Sequence, residues 1–143
     1  MPVPQNVATE YGFRSTAPGY IIPAEARLWF EDLQTRVLTL KGRSFGLLVD
    51  SRTQKSNPPE SQAIIRESML WLRDHGMQRS VVVLDSTVAL IQILRIAKAT
   101  GVYSYERYLD ALKDAQWEQK AVDWLVRGVD PDLPPAAPRP PAG

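Results

Sequence analysis

Apolar residues recur along this chain with two periods, and each change of period marks a new element. Over 23–40, Ala26, Trp29, Phe30, Leu33, Val37 and Leu40 return at three- and four-residue steps. That spacing predicts an amphipathic helix opening at Pro23, a favourable first-turn residue, and ending at Lys41-Gly42. The run Phe45-Gly-Leu-Leu-Val-Asp50 is short, apolar and bounded by turn residues, which predicts a buried strand. After a polar stretch over 51–57, Pro59 opens a second helix with Ile64, Ile65, Ser68, Met69, Trp71 and Leu72 on one face. Ser68 in that stripe predicts a close approach of helix to sheet. Gly76 stands where a C-terminal cap is expected, with His75 as a cap partner at the helix end.

Ser80-Val-Val-Val-Leu84 is apolar on both faces, the pattern of a central parallel strand. Asp85-Ser86-Thr87 supplies N-cap chemistry for a third helix over 88–100, which Gly101 stops. Tyr105-Glu-Arg-Tyr-Leu109 alternates in chemistry and reads as a more exposed edge strand. A fourth helix, capped by Asp114, places Trp117, Ala121, Trp124 and Leu125 on one face and ends at Gly128. Weaker strand signals lie at 8–13 and 20–22. Together these elements predict an α/β fold, a small mixed and largely parallel sheet with about four helices.

The chain of 143 residues suits one domain, expected over 1–128. Residues 129–143 hold six of the 12 prolines and one apolar residue larger than valine, Leu133. Such a segment buries too little to offset its ordering entropy, so a disordered, polyproline-II-like tail is expected there.

Composition narrows the function classes. Lys and Arg number 17 against 16 acids, for a net charge of +1, which leaves no electrostatic footprint for nucleic acid. With no cysteine, disulfides and thiolate metal sites are excluded, and the lone histidine has no partner of its kind, so no metal site is expected. The aliphatic runs are far short of the roughly 20 residues of a membrane span, and the N-terminus lacks the pattern of a signal peptide. A cytoplasmic location is expected.

No catalytic residue can be nominated. The chain lacks G-x-S-x-G, G-x-x-x-x-G-K-[ST] and G-x-G-x-x-G, and a single histidine at a helix end makes no nucleophile–base pair. No cofactor is expected. Two Asp-Ser pairs, Asp50-Ser51 and Asp85-Ser86, follow strands, the region where open α/β sheets bind ligands. Ser51, Ser56, Asp85 and Ser86 are therefore candidates for phosphorylation or anion binding, set against their ordinary use in turns and caps. On the third helix, Ala89, Leu90, Ile93, Leu94, Ile96 and Ala97 are expected to face the core. Val88, Ile91 and Arg95 fall on the other side and form a candidate contact surface for self-association or a protein partner.

The order of these segments resembles the bacterial SpoIIAA-like family of STAS-related domains. Gly19-Tyr20 through Pro23-Ala-Glu-Ala-Arg27, Phe45-Gly-Leu-Leu-Val-Asp50, and Trp71-Leu72-Arg73 with Gly76 carry the first half of the resemblance. Val81-Val-Val-Leu-Asp85-Ser86, Arg107-Tyr108, Trp117 and Ala121-Val-Asp-Trp-Leu125 carry the second, so that it covers about 7–128. The resemblance implies a hairpin of two strands before the first helix. Relatives of this kind include anti-sigma-factor antagonists, which bind partner proteins and are switched by serine phosphorylation, and others are likened to SEC14-type lipid carriers. The antagonists carry Asp-Ser-Ser-Gly before the second helix. Here the stretch reads Asp50-Ser-Arg-Thr-Gln-Lys-Ser56-Asn-Pro-Pro59, with Ser56 the nearest counterpart and the motif itself missing. The expected function is a non-enzymatic STAS-like interaction or regulatory module, working through a protein partner or as a homodimer. The alternative is a carrier or sensor of a lipid-like or small anionic ligand.

Overall fold

The computed structural model describes residues 5–16, 20–53 and 57–133. Along the chain run β1 (Gln5–Thr9), β2 (Gly12–Thr16), α1 (Pro23–Leu38), β3 (Phe45–Asp50), α2 (Pro59–Asp74) and β4 (Met77–Leu84). They are followed by α3 (Thr87–Thr100), a 3-10 turn (Val102–Ser104), β5 (Glu106–Asp110) and α4 (Trp117–Arg127). The five strands form one sheet in the order β1-β2-β3-β4-β5, with β1 and β2 antiparallel and every later pair parallel.

A parallel pair needs a crossover, and crossovers of one hand that advance in one direction keep their helices on one face of the sheet. The helices α1, α2 and α3 all lie on that face. There Phe13 and Leu47 from the sheet pack with Trp29, Leu33 and Val37 of α1 and Leu72 of α2. The helix α4 follows the last strand and covers the opposite face, where Leu48, Val81, Val83 and Leu109 meet Ala121, Trp124 and Leu125. Alternation along each strand sorts its residues between these two cores.

Gly12, at φ +143°, lies so close to β3 that there is no room for a side chain: a Cβ would stand 2.2 Å from the carbonyl oxygen of Gly46. A polar network ties the β1–β2 hairpin to α1. The Ser15 hydroxyl donates to the Asn6 side-chain oxygen and accepts from Trp29 Nε1 at 3.1 Å, while Asn6 Nδ2 donates to Asp32 at 2.9 Å. All of these inner atoms are buried and satisfied, the condition under which buried polar groups cost little.

Several expectations need correction. Residues 20–22 form no strand and lead directly into α1. The helix α4 starts at Trp117 with Gln116 as its N-cap, and Asp114 instead accepts the Gln116 amide at 2.9 Å in the turn before it. The strand β5 is an edge strand, yet all five of its residues are buried. Its cover comes from both sides, from α3 and α4, and from the chain beyond α4. The third helix also departs from expectation, because only Ala97 of its 14 residues is buried and Ile96 is 62% exposed.

Residues 129–133, the start of the expected tail, belong to the described part, whereas 134–143 lie outside it. Asp130 receives two hydrogen bonds from the buried guanidinium of Arg107, at 2.8 and 3.0 Å. That guanidinium is stacked between Tyr103 at 3.7 Å and Trp124 at 4.3 Å from the ring centroids. The Arg107 hydrogen bond is the main cause holding the Asp130 carboxyl below the usual carboxylate range, against a smaller opposing effect of burial. A carboxyl depressed in this way stabilises the fold above its ordinary pKa and loses that contribution as pH falls through the lower folded value. Asp130→Ala should therefore cost about 1.5 kcal/mol at neutral pH, less than a fully buried pair because Asp130 retains some solvent. Urea melts at pH 7 and pH 3 measure it, with the difference from wild type shrinking at the lower pH.

Candidate ligand cavity

The three helices on one face do not close it completely. Helix α1 packs on α2, and α3 packs on β4, β5 and the 3-10 turn, but among the described residues no Cα atom of α2 comes within 8 Å of one in α3. Between them lies a cleft of about 390 Å³. That is within the range of small-molecule sites, which run from about 300 to 1,000 Å³.

Its floor is one row of the sheet. Ser15, Val49, Val82 and Tyr108 pair side by side across β2, β3, β4 and β5, and all four line the cleft. One wall is the α2 stripe of Gln62, Ile65, Arg66, Met69 and Leu70, and the other is Ile93, Ile96, Ala97 and Thr100 of α3. Trp29 and Ala26 of α1 reach in from the side. At the end formed by Tyr105 and Glu106, Arg73 from the last turn of α2 stacks on the Tyr105 ring at 4.0 Å and donates to the Met77 carbonyl. Leu70 and Ile96 stand at the mouth, 60% and 62% exposed.

The lining is mostly aliphatic and aromatic, and its buried polar groups are largely engaged. Ser15 belongs to the hairpin network. Glu106 is the only carboxyl lining the cleft among the described residues. It accepts hydrogen bonds from Ser80 Oγ at 2.8 Å and from the Tyr108 hydroxyl at 2.5 Å. Burial pushes the Glu106 carboxyl up, outweighing those two hydrogen bonds, which favour the charged form. Burial likewise pushes the Tyr108 phenol up, reinforced by the neighbouring Glu106. The lip at the other end is polar: Asn57 Oδ1 accepts the Ile21 amide at 3.0 Å, Gln62 Nε2 donates to the Asn57 carbonyl at 2.8 Å, and Arg66 lies one turn further along α2.

The residues singled out from sequence are dispersed. Ser51 is buried and lines the cleft. Ser56 lies outside the described residues. Ser86 caps α3, its Oγ accepting the Ala89 amide at 3.1 Å. Asp85 borders a separate polar depression at the C-terminal edge of the sheet with Asp50, Arg52 and Trp117. There Arg52 and Arg14 both bind the Asp50 carboxylate, at 2.8 and 3.2 Å, and Arg52 stacks on Trp117 at 4.7 Å. Burial alone would raise Asp50, but the hydrogen bonds from Arg52 and Arg14 dominate and hold it below the usual range. Val88, Ile91 and Arg95 all lie on the exposed side of α3. Among the described residues no group of three His, Asp or Glu side chains is placed to hold a metal ion. No helix of the described residues is long and apolar enough to cross a membrane.

The cleft itself escapes sequence reading. Its floor draws one residue from each of four strands, and its walls come from two helices whose backbones stand apart. One signal was present: α3 is apolar on nearly all sides, more than a helix covering a single strand edge needs, which marks a helix whose packing partner is incomplete.

No protein-family model matches the chain, and no curated protein matches it in sequence. Among solved structures it is similar to an uncharacterised protein from the DUF3478 family with a SpoIIAA-like fold, from Shewanella loihica PV-4. That likeness covers 86% of this chain and 92% of the other, at 11% identity and a TM-score of 0.61. The five-stranded mixed sheet, three helices on one face and α4 on the other make this a SpoIIAA-like α/β fold.

Proposed function

We propose that this protein is a non-enzymatic STAS-like module that receives an apolar or amphipathic small molecule in the cleft between α2, α3 and the sheet. The observation that carries the reading is the cleft itself, an apolar space of about 390 Å³ whose one carboxyl is held toward its neutral form. An open apolar void leaves its lining without dispersion partners on one side, so a ligand that fills it gains contacts water does not supply. This places the ligand-carrier reading ahead of the protein-contact reading favoured by the sequence.

Native mass spectrometry of the untreated full chain should find a small molecule retained on the folded protein. Ile93→Trp, which fills the cleft from the α3 wall, should remove that mass while leaving the circular dichroism unchanged. A chain that carries no ligand, and takes up none when offered alkyl compounds, would defeat the proposal.

The state of Glu106 gives a second test. A carboxyl whose folded pKa lies above its unfolded value lets the native state hold more protons, so stability declines as pH rises from the ordinary glutamate value toward the raised one. Glu106→Gln keeps the shape and removes the titration. Its stability relative to wild type should therefore rise between pH 4 and pH 7, read by thermal melts across that window.

A second reading, self-association through the outer face of α3, is favoured by Val88 and Ile91, exposed at 66% and 50%. Covering both side chains in a dimer would contribute roughly 2–4 kcal/mol before the cost of association. Ile91→Glu should lower the sedimenting mass to that of a monomer and leave the fold intact. An unchanged mass for an oligomeric protein places its interface elsewhere.

A further inference from the structure

We infer that the occupant of the cleft is a single-chain amphiphile with an anionic head, its alkyl body between α2 and α3 and its head at the lip formed by Asn57, Gln62 and Arg66. This rests on the ligand-carrier reading and adds the class and orientation of the ligand. The charges around the cleft are asymmetric. Arg66 is the only cationic side chain lining it among the described residues, it is exposed to solvent, and it makes no ion pair with any described residue. Most other arginines of the domain are engaged: Arg14, Arg27, Arg36, Arg52, Arg107 and Arg127 all have acidic partners. Gln62 lies one turn before Arg66 on the same wall and keeps its amide oxygen and nitrogen at the lip, the nitrogen already bonded to the Asn57 carbonyl.

At the far end the bordering cation, Arg73, is stacked on the Tyr105 ring and donates to the Met77 and Gln78 carbonyls. Glu106 is buried there with both oxygens engaged by Ser80 and Tyr108, so it offers no counter-charge to an anion and no open acceptor to a cation. An anionic head is thus matched at the lip and unmatched at the floor. Between the two ends Ile65, Met69, Val82 and Ile93 present only apolar surface. The volume of about 390 Å³ lies in the small-molecule range.

Calorimetric titration of the full chain with decanoate and with 1-decanol separates the two layers of this inference. Wild type should bind both and prefer decanoate by about tenfold. Arg66→Gln should erase that preference and leave decanol binding unchanged, Arg66→Lys should keep it, and Arg66→Glu should shift it toward decylammonium. Because Arg66 is exposed, none of these variants should disturb folding, which circular dichroism checks. Equal affinity for decanoate and decanol in wild type, or a preference that survives Arg66→Gln, overturns the anionic assignment while the ligand-carrier reading stands. Binding of neither compound overturns both.

Discussion

Burial of β4 on both faces is the constraint from which the rest of the domain follows. The strand pairs in parallel with β3 on one side and β5 on the other, so it has no free edge, and its alternating side chains need cover above and below. Val81 and Val83 point into the core under α4, while Val82 points toward α2 and α3. The parallel connections force a helix between each pair of strands and, being of one hand, stack all three on a single face. Only α4, with no strand after it, remains to cover the other. A sheet built in this way receives unequal cover, one helix that seals a compact core and three that must share a surface laterally.

The unequal cover explains where chemistry is available. On the α4 face, charged groups are consumed in holding the structure together. Arg107 is stacked between two aromatic rings and bound to Asp130, and Asp50 is bound by two arginines, so both clusters are closed on themselves. Arg79 caps the last carbonyls of α4, with Gly128 packed against its guanidinium. On the three-helix face, α1 and α2 pack tightly through Trp29, Leu33 and Leu72, whereas α3 packs on β4 and β5 and stands apart from α2. The polar residues beneath it are small or neutral, and an apolar space remains. The arginine–carboxylate clusters of Asp50 and Asp130 and the candidate binding surface thus occupy opposite sides of one sheet.

The buried serines belong to the same division. Ser61 and Ser68 on α2 turn their hydroxyls to backbone carbonyls, of Ile21 and Ile64, and leave no side-chain bulk between the helix and its neighbours. Ser15 and Ser80 do the same within the sheet, each satisfied by a partner side chain.

Local periodicity was enough to determine most elements from the sequence. The stripes of α1 and α2, the double-sided apolar run of β4 and the Ser86 cap each depend on residues within a few positions, and backbone hydrogen bonding makes those patterns nearly independent of the rest of the chain. The edge strand was misjudged because the cover that buries Glu106–Asp110 comes from the distant helices α3 and α4 and from Asp130, none of which its own pattern reports. Helix α3 was misjudged for a related reason. Its apolar residues show that it wants a partner, but whether Ile93 and Ile96 meet one depends on how far α2 stands from it. The cleft is that distance, a property of tertiary packing that no stretch of sequence contains.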